Sequence, residues 1–189
     1  MNTPAHAIAN LLLFSKTKRE RYPAAIILGA LIPDAPMLMF YIWSRLSGHT
    51  EKHIWQQGYF EPAWQSLFDA FHSFPLLAAA WTICWHLKYT WMRIFFASML
   101  LHACFDFPLH HNDAHHHFFP FSDWRFLSPI SYWNPEYYGN IMAPIEVLMV
   151  VLGSLWLLKT TSQVWVKRSV LSILTLYLAF AGFVMLVWV

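Results

Sequence analysis

The chain has 189 residues, of which 58% are hydrophobic and only 12% are charged. Soluble domains carry about 25% charged residues, so this composition excludes an ordinary soluble domain and indicates an integral membrane protein. The formal net charge of +2 and the scattered basic residues also argue against nucleic-acid binding.

The apolar segments predict an all-α, polytopic helix bundle. About 20 helical residues are needed to cross roughly 30 Å of hydrocarbon, and five segments span or nearly span that distance. The opening segment Thr3–Phe14 reaches only about 18 Å, which predicts a half-span or re-entrant helix. The five predicted spans are Tyr22–Ser44, Pro62–Trp85, Trp91–Phe107, Ile141–Leu158 and Ser169–Val189.

Basic residues are concentrated in three of the predicted connections, which the positive-inside rule places in the cytoplasm. The loops Arg45–Glu61 and Pro108–Asn140 then lie outside, so that the long His-rich loop faces the non-cytoplasmic side. The residues that fix this orientation are Lys16, Lys18, Arg19, Arg21, Lys88, Arg93, Lys159, Lys167 and Arg168.

Two ionisable residues are predicted near mid-membrane, where a charged side chain costs at least about 2.5 kcal/mol and so indicates a functional role. Asp34 lies between Pro33 and Pro36, which should interrupt the helix around it. His6 lies at a similar depth in the opening segment. The alternatives are a carboxylate bonded to a neighbouring helix for packing and a histidine that is packed or interfacial.

Two pairs of potential metal ligands follow on later helices. Asp69 and His72 are spaced i,i+3, and His102 and Asp106 are spaced i,i+4, so each pair shares one helix face. Such pairs are used by metal-binding helices, and Asp69 is either a ligand or a group that orients His72. The alternative for both pairs is a satisfied polar contact within the bundle.

The outer loop contains five histidines and Asp113 within residues 110–117. Their donors suit zinc or a similar divalent ion, and we predict His110, His111 and His115 as ligands. Adventitious metal binding and a pH-sensing loop are the alternatives. Near the outer face, Glu146 is either a general base or ligand, or a glutamate that reaches water. Arg125 could pair with Asp123 or Glu136, or bind an anion such as phosphate.

Five short motifs follow one another along the chain: Pro4-Ala5-His6, Leu31 to Asp34, His72-Ser73, His102 with Asp106, and Pro120 to Phe126. In this order they resemble the motifs of the predicted membrane-bound metal-dependent hydrolases, a bacterial family that includes an SOS-regulated inner-membrane protein. The resemblance implies a multi-pass protein of the bacterial inner membrane and a distant likeness to zinc-dependent phospholipase C. The chain departs from the family at Pro36, where a second acid is common, and at Leu67-Phe68-Asp69, where His-Arg-Gly is common.

These residues predict a hydrolase that depends on a divalent metal ion and opens to the outer leaflet. The metal would be held by His6, Asp34, His72, His102 and Asp106, and Asp69, Asp113 or Glu146 would accept a proton from water. Helix counting places His102 above the layer of His6, Asp34 and His72, with residues 110–123 as a lid. We expect one membrane domain over residues 1–189, with a metal-site half at 1–140 and a C-terminal helix pair at 141–189.

The predicted partners are membrane lipid and a lipid or phosphoester substrate, with Arg125 as the candidate phosphate contact. The alternative function is a metal carrier or sensor that uses the same residues without catalysis. A third possibility is a structural membrane subunit with satisfied polar contacts.

Overall fold

The computed structural model describes residues 1–14 and 22–188, with side chains described up to residue 182. This part of the chain is helical and contains no strand, as predicted. The helices are α1 (Thr3–Phe14), α2 (Pro23–Leu31), α3 (Ala35–Leu46), α4 (Glu51–Gln56), α5 (Pro62–His72), α6 (Phe74–His86), α7 (Thr90–Asp106), α8 (Gly139–Thr160) and α9 (Val164–Trp188).

Three helical stretches are long and apolar enough to cross a membrane. They are Pro23–Leu46, which joins α2 and α3, then α8, and then α9 over Val164–Gly182. The predicted interruption near Asp34 is present as a 3-10 turn at Ile32–Asp34. The basic residues at positions 16, 18, 19 and 21, and the last residue of the fifth predicted span, lie outside the described residues.

The five predicted spans are not all found. The second is two helices, α5 and α6, bent by 44° at Ser73. Pro75 lies in the first turn of α6 and lacks the N–H that a continuous helix would need, while Ser73 caps α6 in an extended conformation. The third, α7, has 17 residues and reaches only about 25 Å. Within the described residues, the number of candidate spans is therefore three, or four if the bent pair crosses as one.

Helix α1 lies in the centre of the bundle and contacts α2, α7, α8 and α9. His6, Ile8 and Asn10 have no exposed surface, so this short segment is a core helix. The helices are closely packed, because a Cβ at Gly153 of α8 would lie 2.6 Å from a δ-methyl group of Leu12 of α1, and that side chain would have to move. The amide of Asn10 donates hydrogen bonds to the carbonyl oxygen and hydroxyl of Ser98, which joins α1 to α7.

The long loop after α7 is ordered by hydrogen bonds to the bend between α5 and α6. The hydroxyl of Ser73 donates to the carbonyl oxygen of Phe119 at 2.5 Å, and the backbone N–H of Phe74 donates to His117 at 2.8 Å. Within the loop, Ser128 and Tyr132 donate backbone hydrogen bonds to His110 and Leu109. The bend thus holds the His-rich segment against the ends of α5 and α7.

Candidate metal centre

Four side chains from three places in the chain converge on one buried point: Asp34, His72, His102 and Asp106. Asp34 comes from the 3-10 turn, His72 from the last residue of α5, and the other two from the last turns of α7. One ligand atom from each lies within 4.8 Å of all the others. The 3-10 turn follows the end of α2 and the bend at Ser73 follows the end of α5, so both breaks lie beside the last turns of α7.

Five of the six separations between these atoms lie between 2.9 and 3.7 Å, close to those of a four-coordinate ion. Nε2 of His102 lies 2.9 Å from Asp106 Oδ2, 3.3 Å from His72 Nε2 and 3.4 Å from Asp34 Oδ1. Nε2 of His72 lies 3.6 Å from Asp34 Oδ1 and 3.7 Å from Asp106 Oδ2. A tetrahedral ion with bonds of about 2.0–2.2 Å needs donors about 3.3–3.6 Å apart. Two imidazole nitrogens and two carboxylate oxygens at this spacing could hold a divalent metal.

Backbone carbonyls fix both imidazole rings in the orientation that a metal ligand needs. Nδ1–H of His72 donates to the carbonyl oxygen of Phe68 at 2.8 Å, and Nδ1–H of His102 donates to Ala30 at 2.7 Å. In the neutral rings each Nε2 then has a lone pair directed at the group.

The second carboxylate oxygen of Asp106 faces a different set of groups. Oδ1 lies 3.0 Å from Nε2 of His6, 3.2 Å from Nε2 of His110 and 2.7 Å from the amino group of Met1. The ring of His6 stacks on His102 at 3.6 Å. His6 and His110 therefore contact the candidate ligand Asp106 through Oδ1, whereas His72 and His102 face Oδ2.

Asp34 is the most exposed of the four side chains, at 16%, whereas those of His72, His102 and Asp106 are at most 2% exposed. Its Oδ2 accepts a hydrogen bond of 2.5 Å from the hydroxyl of Thr3. Thr3 was not predicted as a site residue, although it lies one turn before His6 on the same helix. Asp34 is thus the member of the group that reaches the surface of the protein.

Two of the predicted loop ligands contact members of the group, and His110 does so through a ring nitrogen, which lies 3.2 Å from Asp106 Oδ1. His115 stacks on the ring of His72 at 3.9 Å. His111 lies apart, with Nδ1–H donating to Ser128 at 2.6 Å and its ring stacked on Tyr137 at 3.5 Å. Of the predicted loop ligands, His110 is therefore the best placed.

The predicted catalytic carboxylates each have other partners. Asp69 accepts hydrogen bonds from the backbone N–H and Nδ1 of His116 at 2.8 and 2.6 Å, so it holds the loop. Glu146 is 6% exposed and accepts hydrogen bonds from Asn2 and from the hydroxyl of Tyr177. It is therefore buried between α1, α8 and α9 and does not extend to water.

Asp113 and His110 form a pair in the loop. Nδ1 of His110 lies 3.0 Å from Asp113 Oδ2. Burial alone would raise the pKa of the Asp113 carboxyl, but the hydrogen bond and charge of His110 outweigh it and lower the pKa. In turn, burial and the Met1 amino group disfavour the cationic form of His110, yet Asp106 and Asp113 raise its pKa overall. The two groups stabilise each other's charged forms.

The fold and the site define a helical protein of membrane type with a buried His and Asp group that could hold a metal. In comparisons with protein-family models, curated proteins and solved structures, nothing matched the chain. The resemblance to membrane-bound hydrolases therefore rests on the motifs alone.

Proposed function

We propose that the protein is a membrane-embedded, metal-dependent hydrolase that binds zinc or a similar divalent ion. The observation that carries the proposal is the convergence of Asp34, His72, His102 and Asp106, whose ligand atoms all lie within 4.8 Å of one another. Imidazole and carboxylate donors suit zinc, and both rings are already oriented by backbone carbonyls. An ion held by these four donors would have to take a water molecule as a fifth ligand, and coordination would lower the pKa of that water, which is the basis of metal-dependent hydrolysis.

His110 is the residue that we propose as proton acceptor. Its Nε2 lies beside Asp106, and its Nδ1 is held by Asp113 at 3.0 Å. In the neutral ring this contact places the proton on Nδ1 and leaves a lone pair on Nε2, which lies 3.2 Å from the Met1 amino group and can accept a proton from water only when that contact opens. Asp113 then acts as a positioning residue through His110, whereas the sequence predicted it as a base.

A lipid-type phosphoester that approaches from the outer face is the substrate class we propose. The buried position of the group within an apolar bundle supports a substrate that partitions into lipid. The resemblance to the membrane-bound hydrolases favours the same class. Asp34, with its partial exposure and its hydrogen bond from Thr3, marks the side of approach.

The test is hydrolysis of bis(p-nitrophenyl) phosphate by the purified full-length protein in detergent. We expect release of p-nitrophenol that stops with a chelator and returns with added zinc. His102→Ala should reduce the rate at least about 100-fold, because it removes a ligand. His86→Ala is the matched control, since His86 is exposed at the end of α6. Hydrolysis that survives both chelation and His102→Ala would rule out this centre.

A metal carrier or sensor is the second candidate, favoured by the depth of burial. Three of the four side chains are at most 2% exposed, which suits an ion that is held without turnover. Vesicles that contain the protein and an entrapped zinc-sensitive dye separate the two functions. A carrier gives zinc flux without hydrolysis, and a hydrolase gives the reverse.

A further inference from the structure

An open surface cavity of about 360 Å³ lies beside the His-rich loop. Phe60 contributes from the turn before α5, and the other walls come from the loop after α7. The lining residues are Phe60, His111, Asn112, Arg125 and Leu127. This set combines one cation, two polar side chains and two apolar ones.

Arg125 is the only Lys or Arg between positions 108 and 140. Within the described part of the chain, no carboxylate lies within salt-bridge distance of its guanidinium, including those of Asp123 and Glu136. Arg45 offers the contrast, since its guanidinium pairs with Glu51 at 3.2 Å. A guanidinium presents five N–H donors in a planar fork that matches phosphate or carboxylate oxygens. Arg125 therefore lines the cavity with no protein carboxylate in salt-bridge distance among the described residues.

The rest of the wall favours a phosphate group attached to something apolar. The amide of Asn112 adds a neutral donor, and His111 is held in place by Ser128 and Tyr137. Phe60 and Leu127 are 46% and 54% exposed, so the rim of the cavity is apolar. His111 directly follows His110, which lies 3.2 Å from Asp106. One wall residue of the cavity is therefore next in sequence to a residue that contacts the candidate metal centre.

We infer that Arg125 and Asn112 form a recognition site for a phosphate group, carried either by a lipid or by a soluble ester. Binding at this site requires no catalysis. Its assignment to substrate recognition rests on the proposed hydrolase function, in which it would hold a charged phosphate beside the reacting ester. The apolar rim predicts that a phosphate bearing acyl chains binds more tightly than free phosphate.

Isothermal titration calorimetry on the metal-depleted, full-length protein in nonionic detergent tests the site. Metal depletion removes phosphate binding at the candidate metal centre, so failure here is separate from failure of hydrolysis. The probes are dihexanoyl phosphatidic acid, inorganic phosphate and uncharged dihexanoylglycerol. We expect Arg125→Gln to weaken binding of the phosphatidic acid at least tenfold, and Arg125→Lys to weaken it less. Arg45→Gln is the matched control and should bind like wild type.

The outcomes separate the possible ligands. Tighter binding of phosphatidic acid than of inorganic phosphate identifies a lipid headgroup, and equal binding identifies a soluble phosphate ester. Equal affinity in wild type and in both Arg125 variants overturns the proposal, as does binding of dihexanoylglycerol as tight as that of the phosphatidic acid. Absence of binding for both phosphate probes overturns it as well.

Discussion

Nε2 of His72 and Nε2 of His102 lie 3.3 Å apart, and the other nitrogen of each ring donates to a backbone carbonyl. Both Nε2 atoms of the neutral rings therefore present lone pairs to each other across a hydrogen-bond distance. Two acceptors in this position repel, and the contact is favourable only with a cation or a proton between them. The two carboxylates alongside favour a cation in the same place.

Replacing His102 should remove bound metal. We expect the purified protein to contain about one zinc or similar ion per chain, because four donors fit one tetrahedral ion. His102→Ala leaves three donors and removes the ring that faces His72. Elemental analysis of the purified proteins measures the change, and we expect the metal content of the variant to fall close to zero.

The control for this measurement lies in the loop. A triple replacement of His115, His116 and His117 by alanine leaves all four candidate ligands in place and should retain the ion. Metal that persists in His102→Ala but disappears from the triple variant would place binding in the loop. The carrier or sensor function would then be the better proposal.

Asp69 should stabilise the His-rich loop without holding the metal. Its carboxylate accepts two hydrogen bonds from His116, and hydrogen bonds to a charged group contribute about 1.5–3 kcal/mol. Asp69→Ala should therefore accelerate amide hydrogen exchange of His116 by about 10-fold to 100-fold, while metal content stays unchanged. Loss of the ion in this variant would instead indicate that Asp69 is a metal ligand. The sequence left that role open, because Leu67-Phe68-Asp69 stands where the resembling family commonly has His-Arg-Gly.

Residue type and spacing were sufficient to predict much of the candidate site. The i,i+4 pair of His102 and Asp106 and the mid-span Asp34 were recognisable because such groups are costly in an apolar helix. The relative depths of the candidate ligands along the helix bundle were not predictable from the sequence. Helix counting placed His102 above His72, yet their Nε2 atoms are in contact. Counting assumed straight spanning helices, and the 44° bend at Ser73 removes that assumption for α5.

The partners of buried carboxylates depend on contacts that are distant in sequence. Glu146 lies in the N-terminal half of the apolar helix α8, where a glutamate that reaches water was as plausible as a catalytic one. The structure instead buries it against Asn2 and Tyr177, which are 144 and 31 positions away. Hydropathy describes one helix at a time and cannot specify such partners.

Glu146 should stabilise the start of α1. Its two oxygens accept hydrogen bonds from the backbone N–H and side chain of Asn2, at 3.1 and 2.6 Å. Glu146→Gln turns one acceptor into a donor, so we expect a loss of about 1–3 kcal/mol in the free energy of unfolding. Tyr177→Phe removes one of the three bonds and should cost about 0.5–1.5 kcal/mol. Thermal unfolding in detergent checks both, and a Gln variant as stable as wild type would contradict this role.

The His-rich loop should lie outside the cytoplasm, because the basic connections Lys88–Arg93 and Lys159–Arg168 are predicted to lie inside. Cysteines introduced at Ser122, in the loop, and at Thr160, at the end of α8, test this orientation. Both native thiols are free and Cys104 is exposed, so Cys84 and Cys104 are first replaced by serine. In intact cells an impermeant thiol reagent should label the cysteine at 122 and not the one at 160, and permeabilisation should make both reactive. The opposite labelling pattern would mean that the Arg125 cavity and the exposed side of Asp34 face the cytoplasm. A substrate in the outer leaflet would then be excluded.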